Sequence, residues 1–262
     1  MTTPLPLTGI GVVVTRPEQQ AGPLCRLLEA RGAQVERLPA IAIVEHPRRR
    51  ETLAALKSQP DFDLIIFTSA NAVRFGEPLL AQRRDLTLAA IGPATARALN
   101  QAGYRVGLAP AAGFTSEHLI AHPRLKSLQG SHVLLVKGEG GRDLLQTELA
   151  ARGAQVSIAA VYERRPAQPS PERLAHLQRA FEEGRLQFVT ASSLEVAQQL
   201  LALAPGPLRA HFLEASWVTP SARVSEALAA AGVRGRILTA PSADDQDVLA
   251  ELLRWRAAES GA

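Results

Sequence analysis

The sequence predicts an α/β protein of two similar units, each a parallel sheet with helices on both faces. Three observations predict it. Short β-branched runs alternate with helical patterns of ~10–15 residues, the signature of βαβ units. The hexapeptide Ala-Arg-Gly-Ala-Gln-Val occurs twice, at Ala30–Val35 and at Ala151–Val156. The flanking segments echo each other as well, and a repeat with so long a period means paired domains rather than a solenoid.

In chain order, an apolar strand from Ile10 to Val14 precedes a helix whose apolar positions include Leu24, Leu27 and Leu28. Gly32 ends that helix, where a left-handed residue is wanted after the last turn. Gly103, Gly153 and Gly232 occupy the same place after later helices. Pro39 to Pro47 is extended and apolar, with Ile41, Ile43 and Val44, and reads as a strand that leaves one unit. Leu64–Asn71 is echoed by Phe188–Ser193, and Ile91–Ala96 by Val218–Arg223. Ala109-Pro110 and Ala240-Pro241 each open a last helical segment. Val133–Val136 is the strand before the second hexapeptide, and Pro166–Pro171 is a linker.

Composition limits the chemistry. The 262 residues are 46% hydrophobic but only 4% aromatic, so the core is aliphatic. The net charge of +4 comes from scattered arginines. Arg48-Arg49-Arg50 is too short and too poor in aromatics for a nucleic-acid arm, and a mildly basic chain suits an anionic small ligand. Cys25 is the single cysteine, which excludes an internal disulfide or a cysteine metal site. Its helical, apolar setting predicts a packed thiol. The six histidines (His46, His118, His122, His132, His176 and His211) are dispersed, none lies in a turn after a strand, and no HExxH occurs. Neither a Walker A loop nor a GxSxG elbow occurs. No signal peptide or membrane span is expected, which places the protein in the cytoplasm.

In open parallel sheets, ligands bind beyond the carboxyl ends of the strands. The turns there are Thr15-Arg16-Pro17, Thr68–Asn71, Gly92–Thr95, Lys137–Arg142, Thr190–Ser193 and Thr219–Arg223. Serine, threonine and asparagine in such turns cap the next helix, and the free N–H groups favour an anion. Plain capping explains any one turn; together they suggest a cleft that grips several negative groups. Strong acids, bases and nucleophiles are missing from the turns apart from Glu139, which suggests catalysis by positioning, or simple binding. Gly138-x-Gly140-x-x-Asp143 is a weak dinucleotide-like signal, since Asp143 replaces the third glycine. Tyr162, at the end of a strand before the linker, is either a packing tyrosine at the domain junction or a phenol that donates a proton.

In order along nearly the whole chain, these pieces resemble the uroporphyrinogen-III synthase family. They are Val14-Thr15-Arg16-Pro17, Lys137–Asp143, the repeated strand entry, Val161-Tyr162-Glu163-Arg164, Thr190–Ser193 and the turns at Pro93 and Pro220. The resemblance implies two flavodoxin-like domains with a two-stranded connection. Residues 1–39 with 167–262 would form a discontinuous α/β domain, and 40–166 an inserted one. It further implies a lyase without a cofactor that closes hydroxymethylbilane, with loss of water and inversion of the fourth pyrrole, in haem biosynthesis. Carried over by position, Tyr162 is the catalytic tyrosine, with Thr95 and Ser221 in the two proline turns. Thr219 stands where the family favours glycine. The full set expected to bind substrate is Thr15, Arg16, Ser69, Asn71, Thr95, Lys137, Gly138, Gly140, Arg142, Ser192, Ser193 and Ser221, with no metal ligand.

The bilane closes unaided to the uninverted isomer, so the enzyme must work by orientation and by stabilising a cationic intermediate. Two readings compete. One is a two-domain anion-binding sensor without catalysis, and the other a nucleotide-dependent enzyme. The expected partner is the small tetrapyrrole substrate alone, with no nucleic acid and no membrane, and the protein is expected to be a monomer.

Overall fold

The computed structural model describes residues 4–59, 61–80, 87–110 and 113–260. The chain divides into two compact units, residues 1–42 with 165–262 and residues 43–164.

The first unit holds a five-stranded sheet. Its strands are β1 (Gly11–Val14), β2 (Gln34–Arg37), β8 (Phe188–Thr190), β9 (Ser216–Thr219) and β10 (Ile237–Thr239). In space the order is β10-β9-β8-β1-β2, with every neighbouring pair parallel. Renumbered within the unit, this is the flavodoxin order. Its helices are α1 (Glu18–Glu29), α7 (Pro171–Glu182), α8 (Leu194–Leu203), α9 (Gly206–Glu214), α10 (Ala222–Ala230) and α11 (Asp245–Ser260).

The other unit contains β3 (Ile41–Glu45), β4 (Leu64–Phe67), β5 (Leu88–Ala90), β6 (His132–Gly138) and β7 (Gln155–Pro166). Their order is β3-β7-β6-β4-β5. Its helices are α2 (Arg49–Lys57), α3 (Ala70–Gly76), α4 (Pro93–Gln101), α5 (Ser116–Ile120) and α6 (Leu144–Ala151). Removing β3 leaves β7-β6-β4-β5, parallel throughout, and Leu108 bridges Ala89 at the far edge. The two sheets therefore match place for place: β1 with β6, β2 with β7, β8 with β4 and β9 with β5. The order of the halves along the chain is what differs.

The repeated hexapeptide shows why. Gln34 pairs with Gly11 at the start of β2, and Gln155 pairs with His132 at the start of β7. Gly32 and Gly153 both have φ of 91°. In each copy the residue after the glycine returns a backbone N–H to the preceding helix, Ala33 to the Leu28 carbonyl and Ala154 to the Leu149 carbonyl. Only glycine takes that left-handed turn without a Cβ clash. The repeat is thus a helix stop and a strand start fused into six residues.

Both faces of each sheet are covered. Strands β1 and β4 are buried along their whole length, as a parallel sheet between helix layers requires. In the first unit, Val12 and Val14 pack with Leu24, Cys25 and Leu28 of α1 and with Leu249 and Leu252 of α11. Cys25 is the packed thiol expected, and burial raises its pKa. The two tryptophans have structural work. Trp217 is fully buried and donates its indole N–H to the Phe212 carbonyl at 2.8 Å; the Trp255 ring meets Phe188 edge-on at 4.6 Å. In the second unit, Leu64, Ile66, Val133 and Leu135 of the sheet pack with Leu119 and Leu149 of the helices.

The chain leaves the first unit along β3 and returns along β7. The His46 N–H bonds the Val161 carbonyl, and the Ala167 N–H bonds the Ala40 carbonyl. Residue numbers rise on one strand as they fall on the other, so the pair is antiparallel. Strand β7 runs on for 12 residues because it serves twice. Its first part pairs with β6 and its last part with β3.

Candidate active site

Because neighbouring strands in each flavodoxin-like sheet are parallel, their carboxyl ends lie along one edge of that sheet. All the loops singled out above leave such ends. The side chains within them have different fates.

In the first unit, Thr15 is fully buried and donates its hydroxyl proton to the Thr190 carbonyl. Thr190 returns a bond to the Val13 carbonyl at 3.2 Å. These hydroxyls tie β1 to β8, so the Thr15 side chain is a sheet fastener here rather than an open ligand. Arg16 is paired with Asp245 and also donates to the Ala243 carbonyl. Ser193 caps α8 by accepting the Val196 N–H at 3.2 Å. Ser192 is half-buried beside it. Ser221 precedes α10 in extended conformation, but its hydroxyl makes no capping bond. Thr219 instead bonds Ser225 at 2.7 Å.

In the second unit the parts converge. Ser69 caps α3 by accepting the Ala72 N–H at 3.0 Å. The same oxygen lies 3.1 Å from the Tyr162 hydroxyl. The Tyr162 ring stacks on Phe75, with centroids 6.0 Å apart and an angle of 26°. Its other neighbour is Gly138. A Cβ on Gly138 would lie 2.6 Å from Tyr162 Cζ, so only glycine leaves room for the ring. Tyr162 is buried, with 6% of its surface exposed. The Glu139 N–H bonds the Tyr162 carbonyl at 2.7 Å. Asn71 lies in the first turn of α3, half-buried.

The loop from Lys137 to Arg142 is pinned on three sides. Lys137 faces Asp143 at 3.7 Å. Arg142 meets Glu117 at 2.6 Å. His46 brings Nε2 to 3.3 Å from a Glu139 carboxylate oxygen, while its Nδ1 accepts the Arg48 N–H at 3.2 Å. That second bond leaves Nε2 as the protonated nitrogen facing Glu139. Sequence reading missed His46, because it lies far from Glu139 along the chain and no spacing rule joins them. Gly140 and Gly141 have φ of 72° and 87° with open space around them. Thr95 is buried in the first turn of α4, whose N-terminal cap is Gly92; its side chain faces the interior. Among the described residues, no group of His, Cys, Asp and Glu could hold a metal ion.

The sequence from residue 23 to 250 matches the family model described as uroporphyrinogen-III synthase HemD. The uroporphyrinogen-III synthase of Escherichia coli K12 is 31% identical over 217 residues, covering 78% of this chain and 84% of that protein. The Salmonella typhimurium LT2 enzyme of the same name is 32% identical over 213 residues, again with 78% and 84% covered. The chain belongs to the uroporphyrinogen-III synthase family. It is accordingly an enzyme of porphyrin biosynthesis, a cyclising lyase that acts on a tetrapyrrole, and the reading as a binding module without catalysis finds no support. Two solved structures share the fold. A mutant uroporphyrinogen III synthase from the extreme thermophile Thermus thermophilus gives a TM-score of 0.56 at 21% identity, covering 97% of this chain and 100% of that one. The uroporphyrinogen-III synthetase of Helicobacter pylori gives 0.58 at 15% identity, with 94% and 99% covered.

The contacts beside the glycine-rich loop can be read by titration. Hydrogen bonds from Thr115, from the Glu117 backbone N–H and from Arg142 hold the Glu117 carboxyl at a pKa of about 2, against an ordinary 4.5. A depressed carboxyl stabilises the folded state above pH 4.5, and that contribution is lost as pH falls towards 2. NMR titration of the Glu117 side chain should therefore give a midpoint near 2. A midpoint in the ordinary range would show that the Thr115–Glu117–Arg142 contacts do not form in solution.

Proposed function

We propose that the strand-end loops bind the carboxylates of hydroxymethylbilane and that Tyr162 protonates the departing hydroxyl. The single observation behind this reading is the Tyr162–Ser69–Gly138 arrangement. Ser69 accepts the Ala72 N–H and can turn its own proton towards the tyrosine oxygen. The tyrosine proton is then directed at the substrate. Transfer to the hydroxymethyl oxygen breaks the C–O bond, and water leaves. The resulting cation is attacked through the spiro intermediate that inverts the fourth ring. Loss of a proton as the last pyrrole regains aromaticity restores the phenol, so atoms and charge balance.

The remaining candidates would supply contacts. In the second unit these are Ser69, Asn71, Lys137, Gly138, Gly140, Arg142 and the backbone around Thr95. Lys137 and Arg142 carry positive charge, and the glycines bring N–H groups close to an anion. In the first unit they are Ser192, Ser193, Ser221 and the backbone at Thr15 and Arg16. Hydrogen bonds to several carboxylates fix one bent conformation, and orientation decides the isomer. We take the protein to act as a cytoplasmic monomer without nucleic acid. The scattered charge speaks against a nucleic-acid partner, and no helix among the described residues is long and apolar enough to cross a membrane.

A coupled assay with porphobilinogen and its deaminase tests the function, with isomers separated by chromatography. Isomer III in excess over isomer I is expected. Isomer I alone, at the rate seen without the protein, would overturn the reading.

A further inference from the structure

Phe114 is out of place as a core residue. It is 61% exposed, more than Leu5 and Ile158, the other large exposed apolar side chains among the described residues. Aromatic residues are scarce in this chain, and Phe67, Phe188, Phe212 and Trp217 are all fully buried. A single apolar side chain in water needs no explanation by itself. Its location supplies one.

The Phe114 Cβ lies 3.4 Å, and its Cγ 3.9 Å, from where a Cβ on Gly92 would stand. Gly92 is the cap of α4 at the carboxyl end of β5. Phe114 therefore stands beside one of the loops assigned to substrate. Its segment is also held in place. Gly113 has φ of 71°, and the His118 ring occupies the space that a side chain at 113 would need. Thr115 Oγ1 meets His118 Nδ1 at 2.8 Å. Glu117 grips Arg142 of the glycine-rich loop. Phe114 is thus an exposed aromatic ring that stands beside the substrate loop at Gly92, on a segment tied to the loop at Arg142.

A linear tetrapyrrole has two kinds of surface. Its carboxylates call for N–H groups and cations. Its flat, electron-rich rings call for an apolar face. The loops described so far supply only the first kind. We propose that Phe114 is a substrate-binding residue whose ring packs against a pyrrole of the bilane. This inference rests on the strand-end loops being the substrate site. Aromatic contacts of this sort prefer offset or edge-on geometry and add to the burial of apolar area.

The test compares wild type with Phe114→Ala, Phe114→Leu and Phe114→Tyr in the coupled assay, with thermal unfolding of each. Phe114→Ala should raise KM roughly tenfold with little change in kcat. Phe114→Leu should restore it only in part, and Phe114→Tyr should match wild type. All melting temperatures should stay close together, since the ring is exposed. Wild-type KM in Phe114→Ala, while isomer III is still formed, would overturn the inference and leave the function standing. So would a melting temperature that collapses in Phe114→Ala, or full rescue by Phe114→Leu. Failure of the wild type itself to make isomer III would instead remove the reading on which the inference rests.

Discussion

Tyr162→Phe is expected to lower kcat about a hundredfold, the scale of one positioned proton donor, while the protein stays folded. The substitution keeps the ring that stacks on Phe75 and lies over Gly138. It removes only the oxygen 3.1 Å from Ser69. Ser69 retains the Ala72 N–H, so α3 keeps its cap. The stability cost is that of one hydrogen bond, about 1 kcal/mol. The product should change as well as the rate. The bilane closes unaided to the uninverted isomer, so a slowed enzyme loses the race against solution chemistry and isomer I should accumulate. Chromatographic isomer ratios and circular dichroism melts on the same preparation check both halves. An unchanged kcat would leave Tyr162 as a packing residue at the foot of the glycine-rich loop.

Gly138→Ala should damage both stability and turnover, for a different reason. The new methyl would lie 2.6 Å from Cζ, 2.7 Å from Cε2 and 3.0 Å from the hydroxyl oxygen of Tyr162. Phe75 stacks on the same ring, which limits where it can move. Gly138 is not among the glycines with positive φ, so alanine meets no backbone penalty, and the whole effect is the collision. Overpacking of this kind costs about 1–3 kcal/mol. Turnover should fall about as far as in Tyr162→Phe, because the displaced hydroxyl no longer reaches Ser69. Gly140→Ala separates the causes. It has φ of 72° but nothing within 4 Å, so it strains the backbone and leaves the tyrosine alone. Equal turnover of Gly138→Ala and wild type would show that the ring has another resting place.

The contrast between Thr15 and Ser69 shows how far the sequence carries the site. Both are hydroxylated residues just past a strand, and the sequence treats them alike. In the structure, Ser69 caps a helix and reaches Tyr162, whereas Thr15 turns inward to the Thr190 carbonyl, 175 residues away. The backbone position of a loop follows from local pattern. The direction of a hydroxyl follows from which carbonyl a neighbouring strand brings near. Arg16 is similar, since its partner Asp245 arrives from the far end of the chain. His46 and Phe114 carried no local signal at all. The first matters because β3 runs beside β7, and the second because its segment lies next to Gly92.

By itself, the sequence determined the α/β class, the strand-end loops, the glycine helix stops and the equivalence of the repeated halves. Each of these is set by periodicity and backbone sterics within a few residues. Only the tertiary structure decided that β1 lies beside β8 in one sheet while β4 lies beside β6 in the other. It also decided which loop side chains are free and which are fasteners. Those outcomes depend on packing and hydrogen bonds between segments far apart in the chain, and no local pattern encodes them.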